Sequence, residues 1–232
     1  MYLYETHLHA QPISACARVS IRDNLEFYKQ KGYTGVFMTD HFVDGNYARE
    51  ARSLPYDERI RYYFSAFKEG KRLGEEIGIE VFYGFEMSYG GTDFLVYGID
   101  EEWCLVHEDM DKMPKSQLLK LLMAEGGLVI QAHPFREAGY IDHIRLFPRC
   151  IHGTEVFNAC RTDFENKLAE QYSENYGLIR FSGSDNHIGA DLPRLGGMAT
   201  EAPIQSERDF ISAVLCGNAK PFIIDDEGFR LI

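Results

Sequence analysis

The chain has 232 residues, 45% of them hydrophobic and 26% charged, with a formal net charge of -12. That is enough apolar material for one full core. The acidity excludes a nonspecific nucleic-acid coat, which needs a basic face, but not an anionic small substrate, because a bound cation and a few arginines can reverse the field in one pocket.

In chain order, short apolar runs alternate with longer mixed segments. The first run predicts a strand over 2–6, in M-Y-L-Y-E-T-H-L-H, with His7 and His9 at its end. Residues two apart on a strand face the same side, so both imidazoles can aim at one point. Alone, such a pair fits a half-exposed strand as well as it fits a metal site. A helix is predicted over 21–31, then a strand over 34–39 that runs into Asp40 and His41. Residues 42–56 read as the longest loop, and a loop of that size after a strand is often functional. A helix over 57–76 leads to a strand over 80–85 that ends at Glu86, and Asp93 precedes a strand over 94–98. A helix over 115–124 leads to a strand over 128–132 that ends at His133. Glu155 lies within a strand over 154–157, a helix covers 163–176, and Asp185 and His187 follow a strand over 178–181. The final helix covers 207–216. Helices stop at Gly32, Gly78, Gly126, Gly177 and Gly217, the residue type that takes the left-handed conformation cheaply.

Strand–helix alternation predicts an α/β fold. About seven strands favour a barrel or distorted barrel over an open sheet. No linker, repeat or low-complexity tract divides residues 1–232, so a single domain is expected. No apolar run is long enough to span a bilayer. No basic, apolar leader is read at the N-terminus, and Cys16, Cys104, Cys150, Cys160 and Cys216 form no C-x-x-C pair. A reducing, cytoplasmic compartment is therefore expected, with the cysteines as small buried hydrophobes.

Five of the eight histidines sit just past predicted strands, joined by Glu86, Asp93, Asp185 and Asp40. In a parallel barrel those ends converge on one face. Gathering so many polar groups costs desolvation unless they pair or bind metal. A mixed set of imidazoles and carboxylates suits zinc, manganese or iron better than calcium or magnesium. His107, His143 and His152 lie off this pattern and are expected at the surface.

H-L-H at 7–9, T-D-H at 39–41, G-F-E at 84–86, A-H-P at 132–134 and G-S-D-N-H at 183–187 resemble, in order and spacing, the polymerase and histidinol phosphatase (PHP) superfamily. The resemblance covers residues 2–217. It implies a distorted seven-stranded β/α barrel, a trinuclear metal site and metal-dependent phosphoester hydrolysis. By the same resemblance, His7, His9, Glu86 and Asp185 would hold a first ion. Glu86 would bridge to a second ion bound by His133, with Asp93 where many small members have histidine. His41 and His187 would hold a third. The remaining ligand of that third ion falls in A-Q-P-I-S-A-C, where Ser14 is a poor donor, so a weak or water-completed third position is expected.

The implied reaction is attack of metal-activated hydroxide on a small-molecule phosphomonoester. His41 and His187 are candidate acids if they do not hold an ion. Asp40 either orients solvent beside the metals or caps the loop after it. Glu155 either holds a ligand histidine or forms an internal ion pair. Phosphate oxygens would be held by arginines, with Arg136 and Arg161 placed nearest the barrel mouth and Arg18, Arg49 and Arg52 as further candidates. The expected partner is a phosphorylated small molecule, with neither a DNA coat nor a membrane. Histidinol phosphatase is one specific reading, because T-D-H-F at 39–42 is frequent in that enzyme. A nonenzymatic metal-binding regulatory module is the alternative from another class.

Overall fold

The computed structural model describes residues 1–232. Ten strands form one sheet: β1 (Tyr2–Leu8), β2 (Gly35–Met38), β3 (Glu80–Tyr89), β4 (Thr92–Tyr97), β5 (Leu128–Ala132), β6 (Gly153–Asn158), β7 (Ile179–Gly183), β8 (Leu195–Thr200), β9 (Ala219–Asp225) and β10 (Gly228–Leu231). Their order across the sheet is β10-β9-β8-β1-β2-β3-β4-β5-β6-β7. The helices are α1 (Ile21–Gln30), α2 (Tyr56–Ile77), α3 (Glu101–Val106), α4 (Lys115–Ala124), α5 (Asp163–Tyr176) and α6 (Glu207–Leu215).

The expected α/β fold is present, and each of the seven expected strands is found. The number seven needs correction, because three C-terminal strands extend the sheet beyond β1. Strand pairing also differs from an all-parallel barrel. β1–β2–β3 and β5–β6–β7 are parallel, but β4 runs antiparallel to both of its neighbours. A tight turn joins β3 to β4 where a parallel crossover would need a dozen or more residues.

The sheet curls without closing fully. β7 has no ladder to β1, yet the chain just after it meets β1: Asn186 bridges Leu8, its carbonyl accepts from His9 N at 3.1 Å, and Thr6 Oγ1 donates to Ser182 O. Two apolar layers hold the curl. Tyr4, Phe37, Phe82, Tyr97 and Phe181 from the strands pack with Phe210, Ile211 and Val214 of α6 in one cluster. A larger cluster brings in Leu25 and Tyr28 of α1, Ile60, Tyr63 and Phe64 of α2, and Leu118, Leu119 and Leu122 of α4.

One glycine sets how closely β7 approaches β1. A Cβ on Gly183 would stand 2.6 Å from both His7 Cβ and Glu155 Oε1. Overpacking of this kind typically costs about 1–3 kcal/mol. Gly183→Ala is therefore expected to lower stability by about that amount, read as a reduced denaturation midpoint. An unchanged midpoint would show that β7 does not need this close approach.

Candidate metal centre

β1 carries an extra residue relative to β2: Glu5 pairs with Val36 and Leu8 with Met38. Such a bulge frees backbone N–H groups and re-aims side chains. The buried Glu5 carboxylate takes up the freed donors, with Oε1 accepting from Thr6 N at 2.9 Å, His7 N at 2.8 Å and Ser184 N at 2.9 Å. Burial nevertheless pushes its pKa up to about 7. Glu5 thus ties the H-L-H segment to the segment after β7. β6 has a second bulge, between Glu155 and Phe157.

His7 and His9 are fully buried. Glu86 lies between the histidines. Its Oε1 is 3.2 Å from His7 Nε2 and 3.2 Å from His133 Nε2. Its Oε2 is 2.7 Å from His41 Nδ1 and 3.6 Å from His9 Nε2. Asp185 completes the floor, with Oδ1 at 3.5 Å from His7 Nε2, 3.4 Å from His9 Nε2 and 3.3 Å from His187 Nδ1. The expected convergence is therefore observed for His7, His9, His41, Glu86, His133, Asp185 and His187.

Asp93 joins them because β4 is antiparallel: the start of β4 lies where its neighbouring strands end. Asp93 Oδ2 is 3.9 Å from His133 Nε2 and accepts from Arg136 at 2.8 Å. His133 and Asp185 have positive φ angles, 25° and 55°, and are the two non-glycine residues in that region. Such backbone costs about 1–3 kcal/mol per residue and persists where packing over-determines it, commonly at functional sites.

Charge in the cluster is tightly shared. Burial opposes the Glu86 carboxylate, but His41 and His7 outweigh it and hold its pKa well below the ordinary value. Burial likewise disfavours a charged His7, yet Glu155, Asp185 and Glu86 raise its pKa well above normal. Burial, with His187 and His41 alongside, lowers that of His9 well below normal.

The donors fit divalent ions. His7 Nε2, His9 Nε2, His41 Nδ1 and Glu86 Oε2 are buried without an aligned hydrogen-bond partner. Three groups each bring their ligand atoms within 4.8 Å of one another: His7, His9 and Asp185; His7, Glu86 and His133; and His9, His41 and His187. This arrangement suits two or three ions, with Glu86 able to bridge.

Supporting residues fall into place around them. Glu155 takes the role of holding a histidine: Oε1 is 2.9 Å from His7 Nδ1, while Oε2 accepts from His133 N at 3.0 Å and Asn158 Nδ2 at 2.9 Å. A carboxylate behind a metal-binding imidazole fixes its tautomer, and loss of such a partner typically costs about 10–100-fold in metal affinity. Glu155→Gln is expected to weaken metal binding on that scale in competition with a chelator, and an unchanged affinity would remove Glu155 from the site. Asp40 faces inward too: its Oδ1 accepts from Ala10 N at 2.7 Å and Ser14 Oγ at 2.6 Å. It therefore braces the loop after His9, and not the loop that follows Asp40 itself, which the capping alternative named. Ser14 is committed to Asp40, to His41 N at 3.0 Å and to His9 Nδ1 at 3.0 Å.

Cys16, expected as a buried hydrophobe, instead lines the cleft, with Sγ 3.2 Å from His41 Nε2. Burial opposes ionisation of the thiol, but hydrogen bonds with His187 and His41 bring its pKa down to about 6. Glu5, Asn158 and the cleft residues Asp44 and Asn46 were not singled out from sequence. A carboxylate directly after the apolar run Tyr2–Tyr4 was the available signal for Glu5.

His41, Glu86, Asp93, His133, Asp185 and His187 form the floor of an open cleft of about 560 Å³, with Arg136, Arg161, Tyr140, Asp44 and Asn46 on its walls, while His7 and His9 are fully buried behind that floor. Arg136 lies 5.7 Å from the Tyr140 ring centroid. Of the five candidate arginines only Arg136 and Arg161 reach the cleft. Arg52 turns back on its own loop, to Tyr47 O at 3.1 Å and Asn46 Oδ1 at 3.2 Å, while Arg18 and Arg49 are exposed. His143 is exposed, and His107 and His152 are half-buried away from the cleft. No helix is long and apolar enough to cross a membrane.

No family model and no curated protein matches the sequence. Several solved structures match its fold. A two-domain protein from Bacteroides vulgatus, containing a predicted PHP-like metal-dependent phosphoesterase, aligns with TM-score 0.71 at 14% identity over 95% of this chain. The chain spans 64% of the length of that protein. PsfC from Pseudomonas syringae aligns with TM-score 0.65 at 16% identity, over 97% of this chain and 92% of its own. An amidohydrolase from Chromobacterium violaceum, solved with bound sulfate and no metal, aligns with TM-score 0.56 at 13% identity, over 93% and 96%. With its strands curled around this cluster, the chain shares the fold of PHP-like metal-dependent phosphoesterases.

Proposed function

We propose that the chain is a PHP-superfamily hydrolase that releases inorganic phosphate from a small-molecule phosphomonoester, with residues 1–232 acting as one catalytic unit. The observation that carries this reading is the Glu86-centred donor cluster on the floor of an open cleft with arginines on its walls. Divalent ions bound there would neutralise phosphoryl oxygens and lower the pKa of water to give a nucleophile near neutral pH. Zinc, manganese or iron suits the donors.

This chain's own groups then divide the work. His7, His9 and Asp185 form one ligand set, and Glu86 joins it to His133. Glu155 holds the His7 ring and the His133 backbone in place. Arg136 and Arg161 supply donors for outward phosphate oxygens, the planar guanidinium matching them two at a time. Asp93 fixes the Arg136 fork from behind and stands beside His133 as an oxygen donor. His41 and His187, on the Cys16 side of the cleft, face the position of a third ion. A protonated imidazole at either one would alternatively deliver a proton to the departing ester oxygen. All five cysteines are unpaired, which fits the expected cytoplasmic setting.

Histidinol phosphate is one candidate within this class, supported by T-D-H-F at 39–42. The direct test is a phosphomonoester panel, histidinol phosphate included, assayed on protein purified without chelator and analysed for metal. Phosphate release from at least one member is expected. Metal-replete protein that releases none would support a binding module, and cleavage confined to amides would move the chemistry to that of the Chromobacterium violaceum neighbour.

A further inference from the structure

We propose that Cys16 is a metal ligand, its thiolate joining the imidazoles of His41 and His187 in a position selective for zinc. This inference rests on the metal-dependent reading above and replaces the expectation of a weak third position.

The first support is placement. Residues 10–17 fold so that Ser14 points away from the cleft into Asp40, and Ala17 N closes a turn on Ser14 O at 3.0 Å. That turn presents Cys16 to the cleft, with Sγ 3.2 Å from His41 Nε2 and in contact with His187. Sulfur and nitrogen donors on one tetrahedral zinc ion stand about 3.6 Å apart, given bond lengths of about 2.3 and 2.05 Å. Little movement would bring both onto one ion.

The second support comes from the imidazoles. His187 Nδ1 is 2.9 Å from Asp185 O. A backbone carbonyl there fixes the proton on Nδ1 and leaves the Nε2 lone pair for a ligand. His9, fully buried, stacks on His187 with centroids 4.0 Å apart, and its Nε2 has no hydrogen-bond partner. The ligand atoms of His9, His41 and His187 lie within 4.8 Å of one another. Three donors from Cys16, His41 and His187 leave room for a fourth, from solvent or a phosphate oxygen.

The chemical consequence is selectivity. The other donor groups are nitrogen and oxygen only, and accept manganese or iron as well as zinc. A thiolate is a soft donor that favours zinc or cobalt over manganese and magnesium. Binding releases the thiol proton to solvent, and no oxidant or reductant is involved.

Cobalt(II) tests this on the full chain, because a cysteine ligand gives a thiolate-to-cobalt charge-transfer band in the near ultraviolet. Metal-stripped wild type titrated with cobalt is expected to develop that band. Cys16→Ala should lose the band and one equivalent of bound cobalt, whereas Cys160→Ala should keep both. The wild-type spectrum does not depend on the variant folding. Cobalt binding and phosphate release without any thiolate band would overturn the Cys16 assignment and leave the proposed function standing, with Cys16 a hydrogen-bond partner only. A band that survives Cys16→Ala would also overturn it. Failure of wild type to bind cobalt at all would overturn both.

Discussion

Glu86→Gln is expected to lower phosphomonoester turnover by about two to three orders of magnitude, the scale seen when one electrostatic stabiliser is removed from an active site. The substitution keeps side-chain volume but removes the negative charge that four histidines face. Glu86 Oε1 stands 3.2 Å from both His7 and His133, and Oε2 faces His41 at 2.7 Å. A neutral amide keeps one oxygen acceptor and puts N–H donors where a second oxygen had been. It therefore cannot bridge two cations. Metal content should fall together with turnover, and both are read from the same preparation. Full activity with normal metal content would remove the bridging role.

Arg136→Ala should act differently. Metal content should hold, while kcat/KM falls by about 10–100-fold, the equivalent of a charge-assisted hydrogen bond worth about 1.5–3 kcal/mol. Inorganic phosphate should bind correspondingly more weakly as a product inhibitor. The variant also exposes what Arg136 does for Asp93. Burial and the neighbouring Glu86 raise the Asp93 pKa, and His133 and Arg136 pull it back down. Without Arg136 that carboxyl holds its proton to higher pH. The acidic limb of the pH–rate profile should therefore move upward in Arg136→Ala. Arg136→Lys keeps the charge but loses the planar fork that meets Asp93 and a phosphate together, so it should restore the acidic limb more than the turnover. Unchanged phosphate inhibition and unchanged kcat/KM in Arg136→Ala would exclude the clamp.

Much of this architecture is legible in local patterns. The helices at 21–30, 56–77, 115–124, 163–176 and 207–215 lie within a residue or so of their sequence-based bounds, because glycines stop them and apolar stripes define them. The seven strands carrying site residues are likewise apolar runs with a polar end. β8 is harder to see: L-G-G-M-A-T has two glycines and little β propensity. It forms because Gly197, at φ 152°, lets the backbone press against Tyr4, where a Cβ would meet Tyr4 O at 2.2 Å. That contact is long-range and leaves no periodic trace. The reversed direction of β4 was also hidden, although it is what places Asp93 beside His133. Identity as well as position misled at Cys16: a lone cysteine outside a C-x-x-C pair reads as apolar filler, and only the folded loop sets it against two histidines. Glu5 and Asn158 were missed for a related reason. They serve the site by holding backbone and carboxylate groups, and such support is visible only once distant segments meet.

The most direct single measurement is a metal titration of chelator-stripped protein, with bound metal and phosphate release followed in the same sample. If the histidine–carboxylate cluster supports hydrolysis by holding divalent ions, stripped protein is inactive against the best phosphomonoester. Activity then returns in step with the ions that fill the Glu86-bridged pair. Full turnover in protein from which all metal has been removed would contradict that claim, as would complete metal loading of the cluster with no phosphate released.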